Sequence, residues 1–144
     1  MSAAIRKKKS LPIVLGMVLL LCSACLRPGQ QSVLDELNAD RRASELRALN
    51  TQADAQNKAQ AWAEKLAREN TLYHSVLTDG IKVKWCSIGE NVGYGPSVAA
   101  VEAAYMVSPS HRANILATKW NGVGVGYATN GTRVFTVQVF IKTC

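Results

Sequence analysis

The sequence has few of the residues that carry most metal and acid–base chemistry: its 144 residues include two histidines and four cysteines. Because the histidines stand far apart, at positions 74 and 111, the HExxH motif of zinc peptidases is absent. The chain has no internal repeat. Its apolar stretch at residues 11–21 is shorter than the roughly 20 residues that span a bilayer. These absences argue against an HExxH peptidase, a repeat array and a membrane-spanning protein.

The beginning of the chain has the layout of an export signal. Residues 6–9 are basic, residues 11–21 are apolar, and small residues follow at 22–24. Cleavage after residue 24 makes Cys25 the new N-terminus. Residues 22–25 resemble a bacterial lipobox with cysteine in the usual leucine position, so a lipid at Cys25 and plain secretion both stay open.

This layout predicts three parts of the chain. We expect a signal peptide at residues 1–24, a polar tether at 25–32 and one domain with a modest core at 33–144. The protein is then exported, either freely secreted or held in the cell envelope as a lipoprotein.

No dense basic patch is left once the signal is set aside. The full chain has 17 basic and 10 acidic residues, a net charge of +7. Four basic residues lie at positions 6–9, so residues 25–144 carry 13 basic and 10 acidic side chains, a net charge of +3. Nucleic-acid-binding domains concentrate Lys and Arg on one face, often among aromatic side chains. We therefore expect no nucleic-acid partner, and membrane contact only through a lipid at Cys25.

Two cysteines, Cys86 and Cys144, are left in the body of the exported chain. An even pair outside the cytoplasm favours a disulfide; two buried thiols are the alternative. A bridge between them closes a long loop and fastens the last residue. By the chain-entropy estimate such a loop contributes roughly 4 kcal/mol to stability.

Three segments have the pattern of helices. The first begins near Ser32, a suitable N-cap, and the second follows Asp54. The third covers residues 97–106, and Pro109 ends it. In the second helix small and apolar residues recur at the i, i+3, i+4 spacing of a buried stripe: Ala59, Trp62, Ala63, Leu66 and Ala67.

Three segments have the pattern of strands. Residues 81–85 alternate apolar and basic side chains, which predicts a half-buried strand, and the glycine-rich residues 89–96 predict a loop after it. Residues 122–128 and 134–141 are strand-like. The Asn-Gly pair at 130–131 between them predicts a type I′ hairpin turn. Because residues 134–141 carry apolar side chains on both faces, we expect this strand at the centre of the sheet.

The two histidines and one carboxylate form a candidate site. His74 lies in the polar run LYHS at 72–75 and His111 in SPSHRANIL at 108–116, with Glu90 between them in GEN at 89–91. Imidazole serves as acid, base or metal ligand near neutral pH. These residues are far apart in sequence, so the fold must assemble the site. Alternatively, each histidine is an ordinary surface or capping residue.

The order of several short motifs resembles a known family, the CAP superfamily of cysteine-rich secretory proteins, antigen 5 and plant pathogenesis-related proteins. The likeness is to a bacterial, SCP-like member and runs from about residue 34 to 140. The family's opening pattern N-x-x-R-x-x-x-G-L-x-x-L is matched with Glu45 in the glycine position. The matching residues and segments are Asn38, Arg41, Leu46, Leu49, HS at 74–75, GEN at 89–91, SPSHRANIL at 108–116 and GVGVG at 122–126.

The resemblance implies an α+β fold, an α-β-α sandwich in which a small, mostly antiparallel sheet lies between helices. It also implies a central cleft where His74, His111 and Glu90 meet. The family's second glutamate falls near Ser108 here, and Tyr105 replaces its tryptophan. A site built on two carboxylates is therefore incomplete in this chain.

Three functions follow from the resemblance and the residues. The first is a binding module for a lipid-like small molecule or a cell-envelope component. The second is a metal-dependent, hydrolase-like enzyme in which His74 and His111 hold zinc or another divalent ion weakly, while Glu90 takes a proton or orients a ligand. Another form of catalysis is a Ser-His-Glu acyl-transfer site in which Ser108 or Ser75 is the nucleophile. The third is a structural envelope protein in which the polar cluster only holds the fold together.

Overall fold

The computed structural model describes residues 25–144, so the predicted signal peptide at 1–24 lies outside the described residues. The described part folds into four helices and three strands. None of these helices is long and apolar enough to cross a membrane. In chain order the elements are α1 (Pro28–Ala43), α2 (Ala53–Glu69), β1 (Trp85–Gly95), α3 (Val98–Val107), α4 (Pro109–Leu116), β2 (Gly122–Thr129) and β3 (Val134–Thr143).

The sheet is antiparallel with the order β1-β3-β2, which confirms the central position expected for β3. The predicted β2–β3 hairpin is also present, but the prediction of a type I′ turn in it is wrong. Among the described residues, positive φ occurs at Gly131 and not at Asn130. The loop is instead closed by the Asn130 side chain, whose Oδ1 accepts hydrogen bonds from the backbone N–H groups of Thr132 and Arg133.

The two faces of β3 bury different side chains. Phe135, Val137, Val139 and Ile141 belong to a core cluster that includes the alanine-rich stripe of α2. Phe140, on the other face, belongs to a second cluster formed with α1, α3 and α4. Period-two alternation along a strand explains this division. The result is an α-β-α sandwich, which confirms the predicted fold class.

Close packing between α2 and β2 depends on glycine. A Cβ atom placed on Gly124 would overlap the backbone of Ala55, and one placed on Gly126 would overlap the carbonyl oxygen of Ala59. The glycines of GVGVG therefore let the helix backbone rest directly on the strand. Small residues on both elements make this contact possible.

The first helix begins earlier than the sequence indicates, and part of the predicted tether at 25–32 is helical. Pro28 occupies the first helical position, where its missing N–H costs nothing. Gln30 accepts a hydrogen bond from the Arg27 backbone N–H at 2.8 Å and so caps the helix without Ser32. The Ser32 hydroxyl donates instead to the Pro28 carbonyl oxygen.

The strand predicted at 81–85 is wrong except at Trp85, where β1 begins. The backbone N–H groups of Lys82 and Val83 both donate to Asp54 Oδ2, each at 2.8 Å. Their donors are therefore satisfied by a side chain of α2 rather than by a neighbouring strand. Asp54 is consequently not the N-cap of α2; Gln52 is, and it accepts from the Ala55 N–H.

The loop predicted at 89–96 is strand β1 through Gly95. Its glycines mark close contact with helices rather than turns. A Cβ atom on Gly93 would lie 2.8 Å from the ring of Tyr105 on α3. Pro109 follows the end of α3, as expected, but it also begins α4, which the sequence did not indicate.

The predicted disulfide between Cys86 and Cys144 is present, with 5.5 Å between the two Cα atoms. It joins the start of β1 to the residue that follows β3. The end of the chain is therefore covalently fastened to the sheet.

Candidate functional site

His74 is held in a fixed orientation by Glu90. The histidine lies between α2 and β1, and its Nδ1 is 2.7 Å from Glu90 Oε1. The Glu90 carboxylate also accepts hydrogen bonds from the backbone N–H of Ser75 at 2.9 Å and from its hydroxyl at 2.5 Å. Both oxygens of this buried carboxylate are therefore engaged. Glu90 therefore orients the imidazole of His74, and the His74 side chain is 59% exposed.

Helix α2 fixes the segment that carries His74. Lys58 Nζ donates to the carbonyl oxygen of Val76 at 2.7 Å, and Trp62 Nε1 donates to that of Tyr73 at 3.0 Å. Burial lowers the pKa of Lys58, while the negative charges of Glu90 and Asp79 oppose this shift. With the Asp54 contact described above, three side chains of one helix hold residues 73–83 in place.

His111 lies in the first turn of α4, beside the residue that joins α3 to α4. Its Nδ1 is 2.9 Å from the Oγ of Ser108. Its ring centroid is 5.0 Å from that of Tyr105, whose hydroxyl donates to the Thr136 carbonyl oxygen. Burial lowers the pKa of His111, and the neighbouring His74 lowers it further. Both effects favour the neutral ring of His111.

A chain of buried amides runs from His111 into the protein. Asn91 Nδ2 donates to the carbonyl oxygen of His111 at 3.1 Å and to Gln138 Oε1 at 3.0 Å. Gln138 Nε2 in turn donates to Glu102 Oε2 at 2.6 Å. On the other side, Asn114 Nδ2 donates to Asn91 Oδ1 at 2.9 Å. These side chains join β1, β3, α3 and α4 beneath the histidines.

The motif positions of this site agree with a known family. The sequence model of the Cysteine-rich secretory protein family (CAP) matches residues 34–141. The chain belongs to the CAP superfamily.

A bacterial relative supports this assignment. The chain is 27% identical over 122 residues to the uncharacterized protein YkwD of Bacillus subtilis strain 168. The match covers 78% of the chain and 47% of that protein, so this CAP chain spans about half the length of the curated relative.

Solved CAP structures share the fold. An outer surface protein from Borrelia burgdorferi superposes with a TM-score of 0.70 at 20% identity, covering 79% of this chain and 92% of that one. An extracellular protein containing an SCP domain from Bacillus anthracis superposes with a TM-score of 0.66 at 23% identity, covering 83% and 45% of the two chains.

Within this CAP domain, the predicted site residues lie in two hydrogen-bonded groups. His74 and Ser75 contact Glu90, and Ser108 contacts His111. The groups are near enough for a charge on His74 to affect the pKa of His111. We refer to His74, Glu90, Ser108 and His111 together as the histidine site.

The histidine site offers a metal ion at most two side-chain ligands. Nδ1 of each imidazole is already bonded, which leaves the two Nε2 atoms as ligands, and both Glu90 oxygens are engaged. Among residues 25–144 no group of three or more His, Cys, Asp or Glu side chains is placed to hold an ion. Catalytic zinc sites use three protein ligands. A divalent ion held by His74 and His111 would supply a Lewis acid.

Sequence reasoning missed the residues beneath the CAP site. Glu102, Gln138 and Lys58 are buried polar residues; in the sequence the first two stand among apolar neighbours, and Lys58 lies within the amphipathic helix α2. A polar residue on the buried face of a predicted element is the signal that points to them, because such groups need partners. Glu102 is notable because its Oε1 is buried without a hydrogen-bond partner.

A separate cavity of about 540 Å³ lies between the start of α1 and α2. Its lining includes Cys25, Gln30, Gln56 and Asn57, and it contains no residue of the histidine site. Cys25, the predicted lipidation residue, is exposed at its edge.

Proposed function

We propose that this CAP domain is an exported binding module whose histidine site takes a small lipid-like molecule or a cell-envelope component. The observation that carries the proposal is the fixed orientation of the two rings. Glu90 and Ser108 hold the Nδ1 atoms of His74 and His111, which leaves Nε2 of each ring to bond a polar group of a ligand. Oriented polar groups with apolar surroundings are typical of ligand sites.

Exposed apolar side chains stand near both histidines in the sequence. Val76 and Leu77, close behind His74 in sequence, are 64% and 37% exposed, and Val107, which precedes Ser108, is 84% exposed. Exposed apolar side chains are typical of binding surfaces. They favour an amphiphilic ligand with a polar head at the histidines.

An export location is supported by several features. The N-terminal pattern has a basic and then an apolar segment, a disulfide is present, and two structural relatives are named as outer surface and extracellular proteins. Intact-mass measurement of the protein from its own cell tests this. We expect a chain that begins at Cys25, with a diacylglycerol increment if it is anchored. A mature chain that retains residues 1–24 would contradict export by cleavage.

Binding is tested with a fluorescent fatty acid as the probe. Val107→Asp should weaken binding at least about tenfold, because it places a charge beside the apolar part of the ligand. Thr132→Asp, at the exposed hairpin tip, is the matched control and should bind like the wild type. Equal affinity in all three proteins excludes this site for the probe. If His111→Ala then lowers the melting temperature sharply and no envelope lipid binds either, the structural alternative is favoured.

The contact between Ser108 and His111 supports a second candidate, acyl-ester hydrolysis. In that reaction Ser108 Oγ attacks the ester carbonyl while His111 Nδ1, at 2.9 Å, accepts the hydroxyl proton. The ester C–O bond breaks as the leaving alkoxide takes that proton, and water then hydrolyses the acyl-Ser108 ester, which releases the acid and restores the hydroxyl. Ser108→Ala should then abolish hydrolysis of a p-nitrophenyl ester, whereas the control Thr132→Asp should hydrolyse it like the wild type. Hydrolysis that survives this change would overturn the candidate.

A further inference from the structure

Glu102 has no role in the proposed binding function, yet it ends the hydrogen-bond chain that begins at His111. Its side chain is buried on α3, with the residue 3% exposed. Oε2 accepts from Gln138 at 2.6 Å, and Oε1 is buried without a partner. A buried carboxyl group in a native protein requires an explanation.

The direction of this chain is fixed at its outer end. The carbonyl oxygen of His111 can only accept, so Asn91 must present its NH2 group there, and the same group donates to Gln138 Oε1. Gln138 must therefore present its own NH2 group to Glu102. The chain needs a pure acceptor at its inner end, and a carboxyl oxygen supplies one in either protonation state.

We propose that Glu102 is a positioning residue of the histidine site, which sets the backbone at His111 through Gln138 and Asn91 and transmits its own ionisation along that chain. The chain is short, buried and uninterrupted, and hydrogen bonds in series polarise one another in a low-dielectric interior. The coupling between Glu102 and His111 would regulate the site proposed above. It can be tested in the protein without any ligand.

The surroundings of Glu102 keep the carboxyl protonated near neutral pH. Burial raises the pKa of Glu102 to about 8; the negative charge of Asp40 adds to the shift, the Gln138 hydrogen bond opposes it, and Glu36 adds a smaller contribution. Asp40 and Glu36 face it from α1. Burial raises the pKa of Tyr105, which lies on the same helix, and the negative charge of Glu102 raises it further.

The remaining elements around α3 bring few charges. Strand β3 presents the uncharged Gln138 and Thr136 to this helix. On α4, Arg112 acts on Asp40 rather than on Glu102. On β1, Glu90 is committed to His74 and Ser75. Ionisation above neutral pH therefore places a negative charge at the inner end of the chain, and no cation among residues 25–144 contributes to the pKa shift of Glu102.

Nuclear magnetic resonance can follow this coupling because the chain has two histidines. We would titrate the ligand-free protein from about pH 4.5 to 9.5 and record the Hε1 resonances, assigned with His74→Ala. His111 should show two inflections, its own and a second near pH 8, and the side-chain amide protons of Asn91 should move with the second. Glu102→Gln, an isosteric change, should remove the second inflection and keep the first.

Glu36→Gln is the matched control, because it removes a nearby carboxylate outside the chain; the second inflection should persist, moved slightly to lower pH. A single inflection at His111 in the wild type, or a second one that survives Glu102→Gln, overturns the proposal. A second inflection without movement of Asn91 shows a field effect through space and also overturns it. Since no ligand is used, failure here leaves the binding proposal standing, and failure of binding leaves this one standing.

Discussion

Glu45 occupies a backbone position that glycine usually fills. It follows the C-cap of α1 with a φ of 59°. The Leu46 N–H bonds the Arg41 carbonyl oxygen and the Glu45 N–H bonds that of Arg42. This is the Schellman arrangement, in which the residue at the Glu45 position is left-handed and most often glycine. The departure from the family's opening pattern is thus a local strain that the rest of the loop tolerates.

Glu45→Gly should stabilise the protein by about 0.5–1 kcal/mol. The left-handed conformation costs an ordinary residue about 1–2 kcal/mol, and part of the gain is lost to the greater freedom of glycine in the unfolded chain. Glu45→Ala removes the charge but keeps the Cβ, so it should give no such gain. Urea unfolding of the three proteins measures both effects. A gain in the alanine variant equal to that of glycine would assign the effect to charge.

Zinc binding tests the chemistry of the two imidazoles. The ion requires neutral rings, so binding should be present near neutral pH and lost below about pH 6, where histidine ordinarily protonates. The lowered pKa of His111 means that its ring stays available to slightly lower pH than a free imidazole. Each of His74→Ala and His111→Ala should weaken binding, and the double change should abolish it. Calorimetry at two pH values shows this, and unchanged binding in the double variant would place the metal elsewhere.

The raised pKa of Glu102 should make the stability of the protein fall as pH rises from about 4.5 to about 8. Its folded pKa of about 8 is above the ordinary 4.5, so between these values the unfolded chain is ionised while the folded one still binds a proton. Stability therefore falls as pH rises through this window and levels off above about pH 8, with a loss of at most about 5 kcal/mol. Glu102→Gln should match the wild type near pH 5 and exceed it at about pH 9 in chemical unfolding. Parallel pH profiles for the two proteins would contradict this.

At the scale of elements, patterns set by local chemistry were predictable and those set by tertiary contacts were not. The alanine-rich stripe of α2 and the alternation of β3 are properties of single segments, and both were recognised. The segment 81–85 alternates like a strand, but Asp54 satisfies its backbone donors from another element. Residues 89–95 were predicted to be a loop because they are rich in glycine. In the structure these glycines make room for the helices that pack against β1, and the sequence does not show which elements are neighbours.

The site divides in the same way. His74, Glu90, Ser108 and His111 were identified because they lie in short motifs with a known order. The Glu102–Gln138 contact joins α3 to β3 across 36 positions, and no local pattern relates those two residues. Lys58 is hidden within an amphipathic helix, and its role depends on the path of the following segment. The ring orientations, which decide what the histidines can bind, required the three-dimensional structure.

For the whole molecule, the disulfide should contribute a large part of the free energy of unfolding under oxidising conditions. Replacing both Cys86 and Cys144 with alanine should lower the free energy of unfolding by roughly 4 kcal/mol, because the unfolded chain loses a closed loop of 58 residues. Guanidinium unfolding provides the measurement. The control is Cys25→Ser, which keeps the bridge and should unfold like the wild type. A reductant should destabilise both of these proteins. Insensitivity of this control to reductant would show that the bridge does not form.

The same bridge also sets how far the molecule can be stretched. If residue 25 is held at a membrane and force is applied at Cys144, tension passes from Cys86 directly across the bridge. The segment from Cys86 to Cys144 then bears no load, which includes β1 after Trp85 and all of α3, α4, β2 and β3. Its contour length, about 200 Å for 58 residues at full extension, stays hidden. The histidine site lies largely inside this shielded loop, with His74 alone in the part that is pulled. Tension on an anchored molecule would therefore separate His74 from Glu90 while the loop that holds His111 stays short.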